Sequence, residues 1–187
     1  MKVRPTELPG VLVLEPRVFR DDRGFFYEAF NEAVFAEHAG SGLPTRFVQD
    51  NHSRSTENVV RGLHFQLRRP QGKLVTCVRG RIFDVAVDVR VGSPTFGRWT
   101  SMTLDGDTPQ YIWVPEGFAH GFCTLSAVAD VLYKCTDGYA PDDDHGVLWS
   151  DASLGISWPV SDPIISSKDQ RYSTLDSSRS DLPRYAV

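Results

Sequence analysis

The stretch Arg61-Gly62-Leu63-His64-Phe65-Gln66, continuing to Gln71-Gly72-Lys73, decides how this chain is read. It sets a histidine inside a short apolar run and brings a lysine nine residues later. A second such run follows, Trp113-Val114-Pro115-Glu116-Gly117-Phe118-Ala119-His120-Gly121-Phe122. Around them, β-branched and aromatic residues recur in short blocks at 47–51, 59–66, 73–78, 81–90, 99–104, 110–114, 121–125 and 131–136. Arg79-Gly80, Gly92-Ser93-Pro94 and Asp105-Gly106-Asp107 punctuate these blocks as turns. Many short, regularly spaced strands predict a mainly β sandwich or barrel, with the ionisable groups pointing into its cavity.

Working outward, residues 10–15 and 25–30 read as strands, with a turn at Arg20-Asp21-Asp22-Arg23-Gly24 between them. Residues 31–39 carry helical spacing in Val34, Phe35 and His38, and Gly40-Ser41-Gly42 would end that helix. After Pro141 the chain turns irregular and ends in a polar tail, expected to be flexible from about residue 176. No repeat or low-complexity linker divides it, so 1–187 is expected to form one domain.

A net charge of -4 gives no electrostatic reason to expect nucleic acid or an anionic membrane as a partner. Cys77, Cys123 and Cys135 are odd in number and lack metal-ligand spacing, which fits buried thiols in a reducing cytoplasm. The first residues lack the apolar region of a signal peptide, and no run is long enough to cross a bilayer.

A two-residue hairpin at Arg79-Gly80 would set Lys73 opposite Ala86, Val75 opposite Asp84 and Cys77 opposite Ile82. Asp84 and Asp88 would then lie diagonal to Lys73. The reverse face, with Leu74, Thr76, Val78, Phe83, Val85, Val87 and Val89, reads as core. The face with Lys73 is either a solvated exterior holding a weak ion pair or a cavity lining. Its Val75, Cys77, Ile82 and Ala86 favour the cavity. In 59–66, alternation puts Val60, His64 and Gln66 on one face and turns Arg61 away; a bulge at Gly62 would bring Arg61 and His64 into one site. Taken alone, a histidine such as His64 is more often a hydrogen-bonded core residue than a catalyst.

The two histidine runs resemble the paired sequence blocks of the cupin superfamily, whose members are small jelly-roll β-barrels. Metal-binding cupins place two histidines and a glutamate in the first block and a histidine in the second. Here Gln66 stands at the second histidine position, no glutamate follows between Leu67 and Gly80, and Lys73 would repel a cation. Such a set is a poor one for a divalent metal, and none is expected.

Further blocks narrow the resemblance. Arg23-Gly24-Phe25-Phe26-Tyr27-Glu28, Phe47-Val48-Gln49-Asp50-Asn51-His52-Ser53, the two histidine runs and Ser167-Lys168-Asp169 are similar to the dTDP-4-dehydrorhamnose 3,5-epimerase family, from about Gly10 to Leu175. The resemblance implies a homodimeric enzyme, without cofactor, that epimerises a dTDP-4-keto-6-deoxyhexose. A C4 ketone acidifies the C3 and C5 hydrogens, since the carbanion formed is an enolate. Inversion then needs a base on one face, an acid on the other and a positive group at the enolate oxygen. By resemblance, His64 is the base, Asp169 orients it, Tyr133 is the acid and Lys73 faces the C4 oxygen. On its own, Tyr133 would read as a core tyrosine.

For the nucleotide, the resemblance points to Arg23, Arg61 and Arg171 at the diphosphate. It points to Phe26 and Tyr139 stacked on thymine, and to Glu28, Gln49 and Asn51 as hydrogen-bonding groups. His120 takes a supporting place in the cavity, paired with Asp84. Arg23 to Glu28 are expected to complete the site of a dimer partner. Two other readings stay open: a mono-epimerase or ketoisomerase of an antibiotic-type deoxysugar pathway, and a non-catalytic sugar-binding cupin. A metal-dependent oxygenase would need a ligand set this chain lacks.

Overall fold

The computed structural model describes residues 1–38, 40 and 42–185. The strands are β1 (Lys2–Pro5), β2 (Leu12–Glu15), β3 (Val18–Asp21), β4 (Gly24–Tyr27), β5 (Gln49–Thr56), β6 (Val59–Gln66), β7 (Lys73–Arg79), β8 (Arg81–Asp88), β9 (Trp99–Asp105), β10 (Tyr111–Val114), β11 (Phe118–Thr124), β12 (Val128–Cys135), β13 (Asp144–Gly146) and β14 (Ile164–Ile165). One sheet runs β1-β2-β10-β7-β12-β5 and the other β13-β6-β11-β8-β9, with β14 added beside β6. The pairings are antiparallel except that of β14 with β6. The sheets pack face to face, as the jelly-roll expectation requires.

Inner-facing Val75, Cys77, Ile112 and Val131 of the first sheet meet Ile82, Ala86, Leu104, Phe118 and Phe122 of the second. Each such burial stabilises by about 1.5–3 kcal/mol. The outer faces are covered too. Leu74 and Trp113 pack under the helix α1 (Glu32–Glu37) through Phe35, while Val85, Val87 and Val89 pack under the C-terminal segment through Leu154 and Leu182. Asn31 caps α1 by accepting from the Ala33 and Val34 amides. Ala39 and Ser41, at the expected end of this helix, lie outside the described residues, as do 186–187.

The hairpin expected at Arg79-Gly80 does not form. β7 pairs with β10 and β12, and β8 with β9 and β11, so the chain arches at Gly80 from one sheet to the other. A Cβ at Gly80 would lie 2.1 Å from the Val128 carbonyl oxygen, and its φ is +72°, so the arch needs glycine. Alternation had correctly assigned the inner face, but that face meets its partner across the core rather than along a shared ladder. Asp88 is likewise not beside Lys73: its carboxylate accepts from Arg90, Ser93 and Thr95 at the base of the following loop. The polar tail is docked through buried Leu182 and a bridge between Val91 and Arg184. Among the described residues, no helix is long and apolar enough to cross a membrane.

Candidate active site

A cavity of about 380 Å³ opens between the sheets. Gln49, Asn51 and Ser53 of β5, Lys73 of β7 and Tyr133 of β12 line it from one side. Arg61, His64 and Gln66 of β6 and His120 and Phe122 of β11 line it from the other, with Tyr139, Asp144 and Lys168 at its edge.

Local backbone structure sets this arrangement. His120 faces His64 and Phe122 faces Arg61, so β6 advances three residues while β11 advances two. The extra residue is the expected bulge, and Gly62 adopts φ +132° within it. Arg61 and His64 therefore both reach the cavity. Arg61 donates through Nε to Ser55 Oγ at 3.0 Å, which ties it to β5. The bulge also frees the Gly62 amide, which donates to Asp169 Oδ2 at 3.2 Å.

Asp169 sits on a short 3-10 turn of the C-terminal segment, and its other oxygen lies 2.8 Å from His64 Nε2. A carboxylate only accepts, so Nε2 carries the proton and Nδ1 keeps the free lone pair of a base. Burial lowers the pKa of His64 and outweighs the raising effect of Asp169. Burial works against ionising Asp169, yet hydrogen bonds from His64, Gly62 and Ser166 hold it below the usual carboxylate range. His120 repeats the motif, with Nε2 2.8 Å from Oδ2 of the fully buried Asp84.

Lys73 is buried and donates to the His64 carbonyl at 3.2 Å; burial lowers its pKa. Tyr133 stands opposite Asn51 on the adjacent strand, and burial raises the pKa of its phenol, so it stays protonated. Gln66 does not point an acceptor at a metal. Its amide donates to the Arg69 and Gly138 carbonyls and accepts from the Ala140 amide, pinning the loop that carries Tyr139. No group of three His, Cys, Asp or Glu side chains is placed to hold a metal ion among the described residues.

The cavity thus gathers His64, Lys73, Tyr133, Arg61, Gln49, Asn51, His120 and Tyr139, with Asp169 directly behind His64. Arg23, Phe26 and Glu28 lie apart from it, on and just beyond the β3–β4 hairpin. Arg23 pairs with Asp21, Glu28 accepts from Asn31, and Phe26 is 68% exposed. Arg171 is exposed and does not line the cavity.

Sequence reasoning passed over Asp144 and Lys168 as site residues. Lys168 Nζ donates to Asp144 Oδ2 at 2.7 Å, and the Tyr139 hydroxyl donates to the same oxygen at 3.0 Å. Asp144 opens the three-residue strand β13 and Lys168 lies in an irregular segment, both too short or too irregular for periodicity; only Lys168, inside the Ser167-Lys168-Asp169 block, carried a signal. Ser53 was also missed: its hydroxyl is buried at the cavity without a hydrogen-bond partner.

Known proteins share this architecture. The family model described as dTDP-4-dehydrorhamnose 3,5-epimerase matches residues 5–177. The dTDP-4-dehydrorhamnose 3,5-epimerase of Escherichia coli is 54% identical, over 94% of this chain and 95% of its own. The crystal structure of dTDP-6-deoxy-D-glucose-3,5-epimerase from Legionella pneumophila, in complex with dTDP-4-keto-L-rhamnose, superposes with a TM-score of 0.93 at 44% identity. It covers 100% of this chain and 99% of that one. A 3'-monoepimerase from Streptomyces bikiniensis, in complex with dTDP-quinovose, reaches 0.89 at 34% identity over 97% and 92%. With a matching fold, a family model over most of the chain and relatives at half identity, the chain belongs to the dTDP-4-dehydrorhamnose 3,5-epimerase family.

Proposed function

We propose that the protein epimerises dTDP-4-keto-6-deoxy-D-glucose at C3 and C5, through enolates and without a cofactor, on the way to dTDP-L-rhamnose or a related deoxysugar. The observation that carries this reading is that His64 and Tyr133 line one cavity from opposite sheets. Inversion needs that opposition: a proton leaves one face of the carbon and arrives on the other. His64 Nδ1 takes the proton, and Asp169 stabilises the imidazolium that results. Tyr133, kept protonated by burial, delivers a proton to the far face. Lys73 supplies positive charge to the enolate oxygen in a cavity where such charge is weakly screened.

Arg61 faces the diphosphate, Gln49 and Asn51 hydrogen-bond the nucleoside, Tyr139 stacks on the thymine, and His120 supports the sugar. We read the chain as one domain and the working unit as a homodimer. Support comes from the β3–β4 hairpin, which keeps Phe19, Phe25 and Phe26 exposed and holds Arg23, Phe26 and Glu28 away from their own cavity. From a partner, these residues would complete the nucleotide site. The three cysteines are free and buried, which fits a reducing cytoplasm.

Likeness to a 3'-monoepimerase sustains a second reading, inversion at C3 alone. The acid assignment is tested with Tyr133→Phe. This variant folds like the wild type and loses epimerisation by roughly two to four orders of magnitude, the span typical of general acid catalysis. Wild-type product formation by Tyr133→Phe would sink the assignment.

A further inference from the structure

Directly across from His64 on the neighbouring strand stands Gly146. A Cβ at that position would lie 2.5–2.6 Å from atoms of the Tyr172 ring, so the missing side chain is what admits the ring. Tyr172 follows the turn that carries Asp169 and meets His64 edge to face, with centroids 5.8 Å apart and planes at 67°. Lys168 Nζ lies 5.9 Å from the ring centre while it pairs with Asp144. The Tyr172 hydroxyl is buried, and Lys168 stands close enough to act on it without closing a hydrogen bond of good geometry.

The ring, not the hydroxyl, is what meets His64 and fills the space over Gly146. The ring is therefore what the site uses. We propose that Tyr172 is a positioning residue for His64: its ring fills the slot over Gly146, fixes the imidazole plane and keeps water from that side. Asp169 fixes one nitrogen of His64 but leaves the ring free to pivot about that bond, and Tyr172 removes this freedom. The ionisable groups around His64 are Asp169, Lys73, Lys168 and Tyr172 itself, with His120 opposite on β11. Burial is the largest influence on His64, and Tyr172 contributes to it. The inference rests on His64 being the base.

The test is steady-state epimerisation of dTDP-4-keto-6-deoxyglucose against pH by the full-length protein, as wild type, Tyr172→Ala, Tyr172→Leu, Tyr172→Phe and His64→Asn. Loosening the base lowers kcat by roughly tenfold to a hundredfold in the Ala and Leu variants, while KM stays within about threefold. Water admitted beside His64 raises its pKa, so the acid limb of kcat/KM moves to higher pH in those two variants. Tyr172→Phe keeps the ring and recovers both the rate and the limb. Should Tyr172→Ala fail to fold by circular dichroism, Tyr172→Leu, which fills the slot without a flat ring, decides the matter. A wild-type rate and acid limb in the Ala and Leu variants would overturn the proposal, as would a Phe variant as impaired as Ala. His64→Asn separates the two readings: retained turnover there defeats the base assignment, whatever Tyr172 does.

Discussion

Burial lowers the pKa of both His64 and Lys73, and the two shifts act on opposite limbs of one pH profile. His64 must be neutral to accept a proton, so a lowered pKa widens the active range at its acid end. The acid limb of kcat/KM is expected below the ordinary histidine value of 6.5. Lys73 must stay charged to stabilise an enolate, so its lowered pKa closes the range from the alkaline side. That limb is expected below the ordinary lysine value of 10.5. Tyr133 is pushed the other way, since burial raises its pKa and keeps the phenol protonated toward the alkaline end. Rates across pH 4 to 11 check both limbs. An acid limb above 6.5 would mean that Asp169 outweighs burial at His64, the reverse of the balance described here.

Among the elements, the crossing of β6 and β11 is where the site is made. A Cβ on Gly121 would lie 2.7 Å from the Arg61 carbonyl oxygen and 3.1 Å from Gly62 Cα. These are backbone atoms that no rotamer change can move. Gly121→Ala must therefore push the strands apart at the bulge that aims Arg61 and His64. It is expected to cost about 1–3 kcal/mol of stability, seen as a lower urea midpoint, and to lower kcat in the folded fraction. An unchanged midpoint and rate would show that the bulge does not aim these residues.

The bulge was legible in the sequence because Gly62 separates two residues that one site needs. β6 was legible to the residue because Val59, Val60, Leu63 and Phe65 gather in one short β-prone block. Partners were not legible. The period of two fixes which face Val75 and Ile82 show, but a hairpin and an arch leave the same alternation in place. β1 and β3 escaped because they are short and mostly exposed, with no apolar stripe to mark them. Lys168 meets Asp144 across 24 residues, and Tyr172 meets His64 from far along the chain, so neither contact leaves a local pattern.

At the scale of the molecule, two sheets supply two chemically different walls. One carries His64, the other Tyr133 and Lys73, and the C-terminal segment returns to close the edge with Asp169, Lys168 and Tyr172. This division explains why the interior is not packed solid: the core stops at Val75, Phe122 and Tyr133, and the polar end of the sandwich is left open to a ligand. A sugar ring held between these walls presents opposite faces to base and acid, which is the geometry stereochemical inversion requires. The most direct measurement is incubation of the protein with dTDP-4-keto-6-deoxyglucose in deuterated water, followed by proton NMR of the sugar. The expected result is loss of the proton signals at both C3 and C5 as each carbon takes deuterium from the solvent. Label at only one carbon would make the protein a mono-epimerase, and absence of exchange, with nucleotide-sugar binding demonstrated, would contradict the catalytic reading altogether.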